Sequence, residues 1–198
     1  MVNNTNSISF YNNNADEFIR STIAVDMISL YQKFLPLLPV NAHILDAGCG
    51  SGRDSKHFIN NGFSVTAMDA SKALAESAAA LIGQPVHECL FQDFQIEKQF
   101  DAIWACASLL HVPSADLPAV FTHLASQLKP QGVFYCSFKY GNDDVERGGR
   151  YFTNANETRL NTFIADTNLT VKDNWLTGDL RPGRESECWI NVILQKNS

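Results

Sequence analysis

Three glycines on alternate positions, Gly48, Gly50 and Gly52, follow an apolar run ending at Ala47, and the next apolar run closes on an acid, Asp69. Glycine at such a point lets the backbone turn sharply after a strand and come within contact distance of a ligand. The helix that follows offers unpaired N–H groups at its start. An acid one strand later, in a doubly wound sheet, lies where a carboxylate accepts hydrogen bonds from both hydroxyls of a ribose. A tight turn without a ligand is the plain alternative, and the strand–helix–strand setting together with the acid argues against it. The dinucleotide pattern G-x-G-x-x-G fails, because its third glycine, counted from Gly48, is Arg53. An acid, Asp46, stands two residues before Gly48, and the phosphate loop G-x-x-x-x-G-K-[ST] is absent. These residues suit a nucleoside with a charged amino-acid tail and no phosphates.

Other side chains could serve a second ligand. His111 follows the fourth expected strand, where an imidazole could act as a general base; packing or capping its own loop is the competing role. Arg147, Arg150, Arg181 and Arg184 fall in two late loops. Guanidinium groups suit planar or oxyanionic ligands, and solvated loop charges are the alternative. At least one of Arg150 and Arg184 is expected to bind an anionic acceptor. Tyr140, Tyr151 and Trp189 could wall its pocket, and Lys139 borders the same region.

These residues need a scaffold. Apolar positions 19, 23, 27, 30, 31 and 34 form a helical stripe closed by Pro36 and Pro39. Strand and helix then alternate: strand at 42–47, helix at 53–61, strand at 63–69, helix from a Ser71 cap to a Gly83 stop, strands at 86–91 and 100–107. A helical face after Ser114 ends at "KPQG", and a fifth strand covers 133–138. Strands this apolar imply burial on both faces and a largely parallel sheet. After a helix at 156–168, the runs 169–177 and 186–195 form an antiparallel hairpin at the sheet edge. One domain of 198 residues results, with 1–40 as an N-terminal helical lid.

The formal charge of -6 disfavours a nucleic-acid partner. The polar start lacks signal-peptide features and no apolar run is long enough to span a bilayer, so a cytoplasmic chain is expected, as a monomer or homodimer. Of five cysteines, Cys89, Cys106, Cys136 and Cys188 read as strand residues and Cys49 as part of the glycine loop. With no C-x-x-C and no Cys/His cluster, reduced thiols and no metal are expected.

The ordered set "ILDAGCGSGRDS", "VTAMD", "FQDF", "FDAIWACASLLHVP" and "LKPQGVFYCSFK" resembles the motifs of class I S-adenosylmethionine-dependent methyltransferases, covering about 100 residues from 43 to 139. The resemblance implies a seven-stranded doubly wound α/β sheet of order 3-2-1-4-5-7-6 with strand 7 antiparallel. It also implies S-adenosyl-L-methionine as cofactor. Asp46, Ala47 and the Gly48–Cys49–Gly50 backbone, with Arg53, would hold the methionine end. Asp69 would take the ribose with Ala70 beside it, Asp93 and Phe94 would meet the adenine, and Ala105 would lie by the sulfonium. "FYNNNADEFIR" resembles a lid motif in which Tyr11 closes over the methyl group and Arg20 meets the cofactor carboxylate. "GCGSGRDS", "SLLHVP" and "SFKYGNDD…GGRYF" resemble small bacterial tellurite-resistance-type methyltransferases, for which a small, oxyanionic acceptor bound by Arg150, Tyr151 and Arg184 is expected. "ACASLL" lacks the Asn/Asp-Pro-Pro-aromatic loop of base-amino methylating enzymes. An NAD-dependent oxidoreductase and a non-catalytic cofactor-binding module are the competing functions.

Overall fold

Strict alternation along the central strands decides the architecture. Ile44, Ala102, Trp104, Val133 and Tyr135 point to one face of the sheet, while Leu45, Ala47, Ile103, Ala105, Phe134 and Cys136 point to the other. Both sets are buried, so each face must be covered by helices. The computed structural model describes every residue of the chain except Met1, Pro182 and Glu185.

The strands β1 (His43–Ala47), β2 (Ser64–Asp69), β3 (Val86–Glu88), β4 (Phe100–Ala105), β5 (Leu128–Lys139), β8 (Leu169–Gly178) and β9 (Cys188–Lys196) form one sheet in the order β3-β2-β1-β4-β5-β9-β8. β9 runs antiparallel to both of its neighbours and the remaining pairs are parallel. This is the expected doubly wound order.

One face packs against α3 (Ile28–Phe34), α4 (Arg53–Asn60) and α5 (Lys72–Ile82), through Leu30, Tyr31, Phe34, Phe58, Ala78 and Ile82. Trp104 and Tyr135 stack there with centroids 3.9 Å apart. The other face packs against α6 (Leu117–Ser126) and α7 (Glu157–Ile164). Ser71 caps α5 through its Oγ, which accepts from Leu74 N–H, and Gly83 ends that helix in the left-handed region.

The N-terminal stripe is not one helix. It breaks after α2 (Ala15–Thr22), which follows α1 (Val2–Asn13), and α3 restarts at Ile28 as part of the core; all three helices contribute residues to the cleft wall, α3 through Leu30. β3 stops at Glu88, which leaves Cys89 outside the strand, and a short 3-10 turn covers Phe91–Asp93. Cys106 likewise lies just beyond β4. β5 begins at Leu128, so "KPQG" belongs to the strand rather than to the segment before it, with Gln131 at φ 64° marking an irregularity. A separate two-stranded hairpin, β6 (Asp144–Arg147) and β7 (Arg150–Thr153), stands between β5 and α7. Among the described residues, no helix is long and apolar enough to cross a membrane.

Candidate active site

A cleft of about 330 Å³ opens at the carboxyl ends of β1, β2, β4 and β5, within the range of a small-molecule site. Its floor is tied together by the loops that leave those strands. Ser108 Oγ donates to the Ala47 carbonyl at 2.6 Å, and Ala107 N–H donates to Ser137 Oγ at 2.9 Å. Gly48 has φ 82°, and a Cβ there would sit 2.4 Å from the Ser108 Cβ. No side chain fits. Gly50, at φ 53°, lies under Phe18 of α2, whose ring would be 3.1 Å from an added Cβ. The backbone of 48–50 is thus bare where it meets the cleft.

Asp69 grips this loop. Its Oδ2 accepts from Gly50 N–H and its Oδ1 from Ser71 N–H, each at 2.9 Å. Burial nevertheless pushes its carboxyl above the ordinary range, the two N–H bonds offsetting part of that. Each oxygen keeps lone pairs for a further donor.

Two more acids lie behind the loop. Asp46 is buried and accepts from Ser55 Oγ at 2.6 Å. Burial and the neighbouring Asp54 charge push it up to about 8. Asp54 is buried as well, and it accepts from Arg53 Nε at 2.6 Å, Tyr31 Oη at 2.6 Å and Trp104 Nε1 at 2.8 Å. Burial opposes its ionisation, but Arg53 and these donors outweigh it and hold the carboxyl below the usual range. Arg53 Nη1 also reaches the Thr22 carbonyl at 3.3 Å, joining this network to the end of α2.

Opposite the glycine loop, His111 has a defined tautomer. Its Nδ1 lies 2.8 Å from the Tyr151 carbonyl, which can only accept, so Nδ1 carries the proton. Nε2 is then an acceptor and takes the Tyr11 hydroxyl at 2.8 Å. Burial pulls the imidazole down to about 4, and the Arg150 and Lys139 charges push the same way. At neutral pH His111 is uncharged and its free nitrogen is already engaged. This geometry fits orientation of Tyr11 better than general-base work.

The structure brings Tyr11, Gly48, Cys49, Gly50, Arg53, Asp69 and Ala70 to the cleft wall, and with them His111, Arg150 and Arg184. Asp46 and Ala47 stand one layer behind it. Other expected residues do not line the cleft either. Arg20 is exposed on the outer side of α2. Asp93 is exposed, and Phe94 is buried in the core with its N–H turned to the Phe91 carbonyl, because the segment turns into the 3-10 element there; Cys89, Leu90 and Phe91 form the wall instead. Ala105 is enclosed by the sheet, and the exposed wall begins one residue later at Cys106. The Tyr151 hydroxyl points away, donating to Asp144 at 2.6 Å, so the residue serves through its backbone.

Ser108, Phe18 and Asp54 carry the site without having been expected. Asp54 in a first helical turn looks like an ordinary dipole-favoured surface acid, and nothing local marks the other two. Burial keeps the cleft thiols protonated, pushing Cys106 up to about 12. Among the described residues, no cluster of three or more His, Cys, Asp and Glu could hold a metal.

Residues 18–169, which span α2 through the start of β8, match the family model of a methyltransferase domain. The chain belongs to the methyltransferase domain family. That family uses S-adenosyl-L-methionine. The domain is similar to a ubiquinone biosynthesis O-methyltransferase from Paramagnetospirillum magneticum, 34% identical over 96 residues, covering 46% of this chain and 38% of that protein. A protein of the same description from Xanthomonas axonopodis pv. citri is 31% identical over 111 residues, covering 51% and 44%. The domain thus spans less than half the length of either relative.

In fold it is similar to a Burkholderia thailandensis 1,6-didemethyltoxoflavin-N1-methyltransferase holding 1,6-didemethyltoxoflavin and S-adenosylhomocysteine (TM-score 0.74, 20% identity, 96% of this chain and 87% of that one). It is also similar to the N-methyltransferase NodS of Bradyrhizobium japonicum in complex with S-adenosylhomocysteine (TM-score 0.72, 13% identity, 94% and 98%).

Proposed function

We propose that this domain transfers a methyl group from S-adenosyl-L-methionine to a small-molecule acceptor. The observation that carries the reading is Asp69, held by Gly50 and Ser71 N–H at the wall of the cleft with acceptor capacity left on both oxygens. A dinucleotide fits less well, since Arg53 stands where close helix packing needs a third glycine and is committed to Asp54.

Asp69 would hold the ribose, and Leu90 and Phe91 would wall the adenine. The 48–50 backbone, with Arg53 beside it and Asp46 behind, would meet the amino-acid tail. When bound, the cofactor supplies an electrophilic methyl group on a sulfonium, which is displaced in line. The domain's own work is then alignment and exclusion of water. Phe18 covers the glycine loop, Tyr11 closes the opposite wall, and His111 fixes the Tyr11 hydroxyl.

An acceptor that arrives as an anion needs no base, which agrees with a His111 whose Nε2 is already taken by the Tyr11 hydroxyl. Lys139, Arg147, Arg150, Arg181 and Arg184 all line the acceptor side, on a chain of net charge -6. This concentration of cations supports an oxyanionic acceptor; the tellurite-type resemblance adds inorganic oxyanions to the compounds worth assaying.

Calorimetric titration with S-adenosylmethionine, S-adenosylhomocysteine and NAD tests the cofactor. The first two should bind and NAD should not. Time-dependent formation of S-adenosylhomocysteine with an acceptor panel separates turnover from binding alone; NAD binding with no response to the other two would remove the reading.

A further inference from the structure

On the methyl-transfer reading above, we infer that the acceptor is a small molecule with a carboxylate-type anionic head that docks on Arg150 and an apolar body beside it. Five cations line the acceptor side, yet the structure does not leave them equivalent. Arg181 is closed onto Asp179, with Nε 2.9 Å from Oδ1. Lys139 donates to Glu187, and Arg147 and Arg184 each lie 3.9 Å from the other oxygen of Glu187. Arg150 has no carboxylate partner among the described residues.

Its guanidinium is held all the same. The Phe10 ring lies 4.3 Å from Cζ, Phe152 5.2 Å and Tyr11 5.8 Å, so aromatic faces set its plane. Gly148 and Gly149, both in the left-handed region, make the turn that places Arg150 at the start of β7.

The donors are the decisive feature. Arg150 Nε is buried without a hydrogen-bond partner, and Nη1 reaches only the Tyr11 hydroxyl at 3.5 Å. Native structures rarely leave a buried charged donor unsatisfied. A guanidinium presents Nε–H and one Nη–H side by side, a fork matched by the two oxygens of a carboxylate. Beside it stand the Phe10 and Phe152 rings, and the same cleft is lined further by Ile8, Leu110, Leu180 and Trp189. An inorganic oxyanion would answer the fork and leave that apolar wall wet. A carboxylate carried on an apolar body answers both.

The test titrates benzoate, phenylacetate and indole-3-acetate, each against its amide, into the protein with and without saturating S-adenosylhomocysteine. Sulfate is the inorganic arm. At least one carboxylate should bind about tenfold or more tightly than its amide and than sulfate, the scale of one charge-assisted pair. Arg150→Gln should abolish that preference. Arg150→Lys, which keeps the charge without the fork, should lose about threefold or more. Lys172→Gln, an exposed charge outside the cleft, should leave it intact.

Amides binding as well as their carboxylates, or a preference that survives Arg150→Gln, overturns the inference. Sulfate binding as tightly as the best carboxylate overturns the apolar body. S-adenosylhomocysteine affinity is read in the same titrations. Its failure in the unaltered protein removes the methyl-transfer reading, while carboxylate binding without it still reports on Arg150.

Discussion

Removing the Asp69 carboxylate is the most direct way to ask where the cofactor's sugar lies. Each oxygen already holds one backbone N–H at 2.9 Å, so a ribose would add one bond to each. A hydrogen bond to a charged acceptor contributes about 1.5–3 kcal/mol. Water refilling the space returns part of the two that are lost, which leaves Asp69→Ala weaker by about 1–3 kcal/mol, or about 5- to 150-fold in Kd. Asp69→Asn keeps the volume but must turn its NH2 toward the N–H of Gly50 or Ser71, so it should fall in the same range. Calorimetry with S-adenosylhomocysteine and with adenosine provides the assay. Adenosine shares the ribose and should lose the same factor as the full ligand. An unchanged Kd in a variant that still melts cooperatively, or a loss for S-adenosylhomocysteine that adenosine does not share, would refute this placement.

Three further outcomes follow from the buried geometry. Gly48→Ala should cost about 2–5 kcal/mol by denaturant melting, combining an L-residue in the left-handed region with overpacking against Ser108. Measured against Ser108→Gly alone, which also loses the bond to the Ala47 carbonyl, Gly48→Ala in that background should still cost the strain part, and a vanished cost would show that φ at 48 carries no strain. Asp54→Asn leaves Arg53 buried without its counter-charge and should lower stability by about 3–5 kcal/mol, checked by the same melts. Asp46 provides a pH test. Its folded value, near 8, lies above the unfolded one, so the folded state binds the extra proton and Asp46's contribution to stability falls as pH rises from about 4 to about 8. Asp54, held low, contributes in the opposite sense only in acid, as its carboxylate becomes protonated. Melting temperatures of the unaltered protein and Asp46→Asn between pH 5 and 8 should therefore diverge, with the flatter profile in the variant; parallel profiles would show that Asp46 titrates normally.

Much of this molecule was legible from periodicity and spacing. Buried strands in β1, β4 and β5, the Ser71 cap and the Gly83 stop depend on local chemistry, and each is present, with β5 starting five residues early and β4 ending two residues short. Asp69 was readable because the strand end and the glycine loop jointly determine its position. The misplaced residues depend on information that is not local. Arg20 and Arg53 are both cations near an expected lid, and only the fold shows that one faces solvent while the other is locked to Asp54. Phe94 in "FQDF" reads equally well as wall or core until the turn at Phe91–Asp93 sends its ring inward. α1 has a polar sequence with no apolar stripe, and its place depends on distant partners: Ser7 Oγ accepts Tyr151 N–H, and Asn12 Oδ1 accepts from Ser71 and Ala73. The β6–β7 hairpin hides because its turn needs two consecutive left-handed glycines while its strands alternate weakly.

That hairpin departs from the main sheet and returns to it at a single point. Gly141 N–H donates to the Ala155 carbonyl and Ala155 N–H to the Lys139 carbonyl, so the intervening stretch is pinched shut at its base. Such a stretch is a cassette. On the methyl-transfer proposal, 142–154 is the unit to exchange for a different acceptor, provided that the new segment still meets Ser7, His111 and Val112 as Tyr151 and Thr153 do.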